Sequence, residues 1–224
     1  MQSKRRTQAE RSTETRARLL AAARETISER GYAGTTTAAT AERAGVSRGA
    51  QLHHYATKQD LLLSVIDYIH ADVEEKVEKI SKRIDGTPDE DFRRFICELW
   101  NQVFAEENFN PNIELVTASR TNPELADRLK KRWIKLAETY DSVWARALAR
   151  SGHHSPQAER LLTLTLNFLR GMAVQRIAMG NDRAYFKAQL DQWTDIVKLV
   201  LTHDEGYRQT SDSSPSNDND GKAS

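Results

Sequence analysis

The sequence predicts an all-α protein: an N-terminal three-helix helix-turn-helix domain followed by a C-terminal helical domain, about nine helices in all. Three observations carry this. Apolar residues recur at spacings of three and four along most of the 224 residues, the period of a helix with one buried face. Helix-starting and helix-stopping residues punctuate that pattern. No segment alternates apolar and polar residues as a half-buried strand does.

Taken in order, residues 1–12 are basic and polar and are expected to be a flexible leader. A first helix is expected over 13–30, with Leu20, Ala23 and Ile27 on one face. A second spans 37–44 and a third 48–55, split by Ala44-Gly45-Val46-Ser47. Gly45 sits where the second helix must stop, because glycine takes the left-handed conformation without steric cost. Ser47 follows as the next N-cap. Thr57-Lys58-Gln59-Asp60 is a capping box that opens a fourth helix, the natural connector between two domains. Its stripe runs Leu62, Ile66, Ile69, Val73, Val77, Ile80 and Ile84, and Asp85-Gly86 ends it.

Thr87-Pro88-Asp89-Glu90 opens a fifth helix, with Pro at the tolerated first position and acids in the first turn. Phe92, Phe95, Leu99 and Val103, with Ile96 and Trp100, widen its apolar face. Asn110-Pro111 and Asn122-Pro123 each read as an N-cap followed by Pro at N1, and delimit a short sixth helix and a long seventh. Gly152 ends the seventh, Ser155-Pro156 opens the eighth and Gly180 closes it. The eighth is apolar on more than one face and needs cover on more than one side. The ninth, 183–203, spaces Phe186, Leu190, Trp193, Val197 and Val200 as a coiled-coil seam does. Residues 204–224 have the composition of a disordered tail. The expected domains are a head at 13–57, whose motif extends to about 73, and a body at 58–203.

Helix, short turn, helix is the arrangement that lays its second helix in a DNA major groove. Charge agrees with it. Residues 1–58 carry eleven Lys and Arg against five Asp and Glu, whereas the remainder carries twenty-two against twenty-seven. A basic head on a mildly acidic body suits a module that meets phosphates.

Thr15-Arg16, Leu19-Leu20-Ala21-Ala22-Ala23, Gly31-Tyr32, Thr35-Thr36, Ala41, Ala44-Gly45-Val46-Ser47, Gly49-Ala50, His54-Tyr55, Lys58 and Leu61-Leu62 together resemble the DNA-binding domain of the TetR family of bacterial transcription regulators. The resemblance covers about 13–73; beyond that only the all-helical layout is similar. It implies a cytoplasmic homodimer that binds a pseudo-palindromic duplex operator. It also implies a small-molecule effector that enters the C-terminal domain and releases a repressor from DNA. One departure stands out. Gln51 fills a position where the family has Leu, and Leu52-His53 follow where it has aromatic residues. Leu52 cannot make a phosphate hydrogen bond, so His53 is expected to replace that contact. Tyr55, in the usual Phe position, is expected to pack inward.

The expected DNA-contacting residues are Thr36, Ser47, Arg48, Gly49, Ala50, Gln51, His53, His54 and Lys58. Arg48 and Gln51 have donors for guanine and adenine edges. Gly49 and Ala50 are small enough for close backbone approach. Thr36, Ser47 and Lys58 suit phosphates, which set register. Alone, these residues describe any exposed polar helix; the surrounding motif favours DNA. Lys4, Arg5 and Arg6 fit a minor-groove arm or a solvated leader equally well. The resemblance implies an effector cavity lined by Trp100, Phe104, Trp133, Tyr140 and Phe168, with Glu114, Asn167 and Arg170 as polar anchors. For each aromatic, ordinary core packing is the weightier account. Arg170 and Arg176 are unusual on an apolar helix: they suit ion pairs with the ninth helix, an acidic effector or a dimer seam. The seam itself is expected from Leu162, Leu169, Phe186, Leu190, Trp193 and Val197.

Other classes are disfavoured. No apolar run approaches the ~20 residues of a membrane span, and the N-terminus lacks a secretion signal. The single cysteine, Cys97, excludes an internal disulfide, fits a reducing cytosol and is expected in the core. The six histidines have no metal-ligand spacing, and His153-His154 suit a solvated loop. With no phosphate loop and no nucleophile motif, neither an enzyme nor a cofactor is expected. A DNA-binding structural or adaptor protein without an effector shares the same head; a well-formed cavity in the body would separate the two.

Overall fold

The computed structural model describes residues 7–83, 88–105, 109–151 and 156–212. The helices are α1 (Gln8–Gly34), α2 (Thr37–Ala44), α3 (Arg48–His54), α4 (Lys58–Ser81), α5 (Pro88–Leu99), a π-helical turn (Trp100–Phe104), α6 (Asn110–Ser119), α7 (Pro123–Ser151), α8 (Pro156–Met179) and α9 (Arg183–Asp212). No strand occurs among the described residues.

Two apolar cores form. Leu19, Ala23 and Ile27 of α1 pack with Tyr55 and with Leu61, Leu62, Val65, Ile66 and Ile69 of α4. Leu115 of α6 and Leu125 and Leu129 of α7 close this core from the body side. Val73, Val77 and Ile80 of α4 belong to the second core, with α5, α7, α8 and α9. One stripe on α4 therefore serves both cores. On α4 the first core runs from Leu61 to Ile69 and the second from Val73 to Ile80.

Several boundaries differ from expectation. The first helix starts earlier, because Thr7 and Glu10 form a capping box: the Glu10 N–H donates to Thr7 Oγ1 (3.2 Å) and the Thr7 N–H to Glu10 Oε2 (2.7 Å). Residues 8–12 are thus helical, not flexible. Asn110 is not a cap; Phe109 holds the cap position with helical dihedrals and no side-chain bond. The α9 helix continues to Asp212, so residues 204–212 are helical rather than tail. Cys97 is half-buried rather than a full core residue, and burial raises its thiol pKa. Lys4, Arg5, Arg6, Ile84, Asp85-Gly86, Gly152, His153-His154, Ser155 and 213–224 lie outside the described residues.

Gly31 breaks α1 with φ 68° and ψ 178°, a region essentially reserved for glycine. A Cβ there would meet Glu114 Oε2 of α6 at 3.0 Å. Gly31→Ala should therefore lower unfolding free energy by about 1–3 kcal/mol. Urea denaturation checks this; an unchanged midpoint would mean that the kink relaxes freely.

Candidate nucleic-acid interface and effector cavity

The turn before α3 is built as its residues require. Gly45 is left-handed (φ 59°, ψ 38°), and the Val46 N–H donates to Ala41 O (3.0 Å). Arg18 of α1 donates from Nη2 to Ala44 O (2.5 Å) and Gly45 O (3.1 Å). Arg16 donates from Nε to the Tyr55 hydroxyl (3.1 Å), and Tyr55 itself is buried as expected. Two arginines of α1 thus fix both ends of α3.

The outer face of α3 presents Arg48, Gly49, Leu52 and His53, with Ala50 and His54 half-buried beside them. A Cβ on Gly49 would touch nothing, so the backbone there is open to close approach. Thr36 and Ser47 are exposed N-caps that accept from Ala39 N–H (3.0 Å) and Ala50 N–H (3.2 Å). Capping uses their oxygens as acceptors and leaves each O–H to donate to a phosphate. Burial lowers the His54 pKa, as do the charges of His53 and Arg16.

Two expected DNA contacts are corrected. Gln51 is 1% exposed and donates from Nε2 to Tyr55 O (2.6 Å). It fills the buried Leu position noted in the sequence, so its amide closes its own helix and cannot reach a base. Lys58 is half-buried and donates from Nζ to Tyr32 O (2.6 Å), 4.4 Å from that residue's ring centre. Burial lowers its pKa. It clasps α4 to the end of α1 rather than standing free for phosphate. In their place the structure exposes Leu52 (47%), an apolar group suited to a thymine methyl.

The body encloses a cavity of about 110 Å³. His70 and Val73 of α4, Val103 and Phe104 of the π turn, and Phe109 line it. Asn112, Ile113 and Val116 of α6 line it also, with Trp133, Leu136 and Tyr140 of α7 and Arg170 of α8. The π turn is closed by Ala105 N–H to Trp100 O (2.7 Å), and Lys76 of α4 donates to its Gln102 O (2.9 Å). Such turns recur at functional sites because they redirect side chains.

Of the expected lining, Phe104, Trp133, Tyr140 and Arg170 come together there. Trp100 does not; it packs on Phe186 (5.3 Å between ring centres). Phe168 stacks on Trp193 (4.8 Å). Asn167 is exposed on α8 and accepts from Arg170 Nη1 (2.9 Å), one step behind the lining. Glu114 is no anchor: it accepts from Tyr32 N–H (2.8 Å) across the head–body contact. His70 and Asn112 were not foreseen. His70 sits four residues after Ile66 and three before Val73, a polar residue on an apolar stripe, which was the available signal.

His70 is 2% exposed and neither ring nitrogen has a hydrogen-bond partner. Burial pushes its pKa down to about 4, helped by the Arg132 charge and opposed by Glu74 and the Arg132 backbone. Burial also lowers the Arg170 pKa, opposed by Tyr140, and raises that of Tyr140, opposed by Arg170.

The expected dimer seam is corrected too. Leu162, Leu169, Phe186, Leu190 and Val197 are buried in the chain's own core. Trp193 donates its indole N–H to Thr165 Oγ1 (3.0 Å) within the same chain. The stripe from Phe186 to Val197 faces inward because α9 packs on α5 and α8 of its own chain, while its last member, Val200, is exposed. The outward apolar face is instead Leu164, Val174 and Ile177 of α8 with Ile196, Leu199 and Val200 of α9. Between them, Gly171 leaves open space.

Among the described residues no group of three or more His, Cys, Asp or Glu is placed to hold a metal, and no helix is long and apolar enough to cross a membrane.

Two outcomes follow from these placements. Gln51→Leu should leave base preference unchanged in a binding-site selection, whereas Arg48→Ala should relax it; the reverse pattern would place Gln51 in the groove. For His70, the unfolded ring binds a proton near its ordinary 6.5 and the folded ring only near 4. Its contribution is complete above about pH 6.5 and is lost as pH falls towards 4, by up to about 3 kcal/mol. His70→Phe should flatten the stability profile across that window; identical profiles would mean that the His70 pKa does not change on folding.

Comparison with known proteins places this architecture. Residues 19–65 match the family described as "Bacterial regulatory proteins, tetR family". The chain is 32% identical over 177 residues to the HTH-type transcriptional regulator CymR of Pseudomonas putida, covering 79% of this chain and 86% of that protein. A transcriptional regulator from a Rhodococcus species shares the fold with a TM-score of 0.65 at 23% identity, over 84% of this chain and 96% of that one. FadR from Bacillus subtilis, solved in complex with stearoyl-CoA, does so with a TM-score of 0.63 at 17% identity, over 80% and 96%. With a helix-turn-helix pinned by Arg16 and Arg18 and a relative matched over most of its length, the chain belongs to the TetR family of bacterial helix-turn-helix transcriptional regulators.

Proposed function

We propose that the chain is a cytoplasmic homodimeric repressor that binds a pseudo-palindromic duplex operator and leaves it when a small molecule fills the body cavity. The carrying observation is that α4 and α6 each serve both ends. Lys58 of α4 and Glu114 of α6 hold the two sides of Tyr32, while His70 and Val73, and Asn112, Ile113 and Val116, line the cavity. An occupant that moves α6 must move Glu114, and with it the end of α1. The effector must favour one arrangement, and a coupling of ~1–3 kcal/mol is typical. FadR, which holds stearoyl-CoA, supports the reading that this fold accommodates ligands. An adaptor without an effector has no use for a cavity with unpartnered polar groups.

In this reading Arg48 and His53 meet base edges, Leu52 meets a methyl, and Thr36 and Ser47 donate to phosphates. Two heads about 34–36 Å apart enter successive major grooves on one side of the duplex. The dimer seam uses the outward faces of α8 and α9, around Leu164, Gly171, Val174, Ile196 and Leu199. No cofactor is needed, and no catalytic activity is proposed.

Operator affinity should fall steeply with salt through counterion release; salt-independent binding would sink the proposal. Leu199→Asp, on a side chain 71% exposed, should yield folded monomers that bind operator weakly, because linked half-sites are lost. Leu169→Asp, fully buried, should instead unfold the body. Light scattering and circular dichroism separate these outcomes, and an unchanged Leu199→Asp dimer would move the seam elsewhere.

A further inference from the structure

The cavity is lined by a cation, Arg170, that no carboxylate among the described residues neutralises. Its guanidinium carbon lies 5.8 Å from the Trp133 ring centre, and Asn167 takes one of its five N–H donors. The stacked face is satisfied; the in-plane donors are the ones a carboxylate uses. An arginine cannot shed its proton at neutral pH, so partial burial without a counter-charge is costly unless something supplies one.

Around it lie polar groups with unmet capacity. Neither nitrogen of His70 has a partner, and neither does Asn112 Oδ1. Tyr140, 1% exposed, lines the same space and interacts electrostatically with Arg170. The remaining wall is hydrocarbon: Val73, Val103, Phe104, Ile113, Val116 and Leu136. At about 110 Å³ the space is smaller than the ~150 Å³ cavity that admits benzene, so a single ring is the upper size and fits only by reaching past the half-exposed Trp133 at the rim. A single cation matches a monoanion better than a doubly charged phosphate ester. The half-exposed Trp133 forms the rim.

We infer that the effector is a small apolar carboxylic acid, one ring or its aliphatic equivalent, whose carboxylate pairs with Arg170 and whose body fills the hydrocarbon wall. The inference rests on the effector-controlled reading above and adds the ligand's chemical class. His70, which lines the same space, donates its one N–H to the same carboxylate or to a ring substituent.

The test is calorimetric titration of the full-length protein with benzoate, phenylacetate and cyclohexanecarboxylate, against their neutral counterparts benzamide and benzyl alcohol, alongside operator release. At least one acid should bind tenfold or more tighter than the neutral compound of its shape and should release operator. Arg170→Gln should erase that preference while circular dichroism shows an intact fold. If Arg170→Gln does not fold, Arg170→Lys should fold and lose several-fold in acid affinity. Neutral compounds binding as well as acids would overturn the inference, as would no binding of any acid at millimolar concentration. Acid affinity unchanged in Arg170→Gln, with a shifted dimer equilibrium, would assign Arg170 to a carboxylate of the second copy and overturn it also. A neutral ligand that releases operator where acids fail leaves effector control standing and removes only the acid. Failure of effector control itself has a different signature: operator affinity unchanged by every compound that binds the cavity.

Discussion

The backbone of Tyr32 makes the contacts on which the relation of head to body depends. Gly31, at φ 68°, turns the chain so that the Tyr32 N–H meets Glu114 of α6 and its carbonyl meets Lys58 of α4. Three elements are thereby joined through the backbone of one residue. Apolar packing of Leu115, Leu125 and Leu129 against the head core supplies adhesion, but packing alone tolerates sliding. Hydrogen bonds from charged groups are directional and stronger than neutral ones, so they set the angle at which the head is held. Ion pairs of α4 with α7, Asp67 with Arg128 and Glu74 with Arg132, extend the same rigidity toward the cavity.

Much of this was legible in the sequence, for physical reasons. The helix-turn-helix rests on local chemistry: a left-handed Gly45 and a Ser47 cap are written in adjacent residues. The Thr7 capping box is equally local, but the basic, polar composition of 1–12 masks it. The π turn was invisible, since one extra residue in a turn hardly changes the apolar spacing of Phe95, Leu99 and Val103. It decides, however, where Val103 and Phe104 point.

Periodicity has a deeper limit. It states that a helix has an apolar face and not which chain covers it. The seam of Phe186, Leu190 and Val197 has the spacing of an intermolecular coiled coil, yet it closes the chain's own core. The same ambiguity led Gln51 astray. A polar residue on a recognition helix suggests a base contact, but its position in the helix turns it inward. At both places, facing is determined by tertiary neighbours that spacing does not encode.

The buried polar groups complete the argument because their energies are comparable with the switch they serve. A buried donor or acceptor left unpaired costs about 1–3 kcal/mol, and neither ring nitrogen of His70 has a partner at full hydrogen-bond geometry, the Arg132 backbone being a polar influence on it. Coupling between effector and DNA typically needs about the same. A cavity lined only by hydrocarbon would be stable when empty and indifferent to the polarity of its occupant. His70 on α4, Asn112 on α6 and Arg170 on α8 bring polar groups from three helices to one cavity. An occupant that satisfies those groups lowers the energy of the arrangement that fits it, and two of the three helices are the ones that hold Tyr32. The polarity that makes the cavity selective is therefore positioned to move the head.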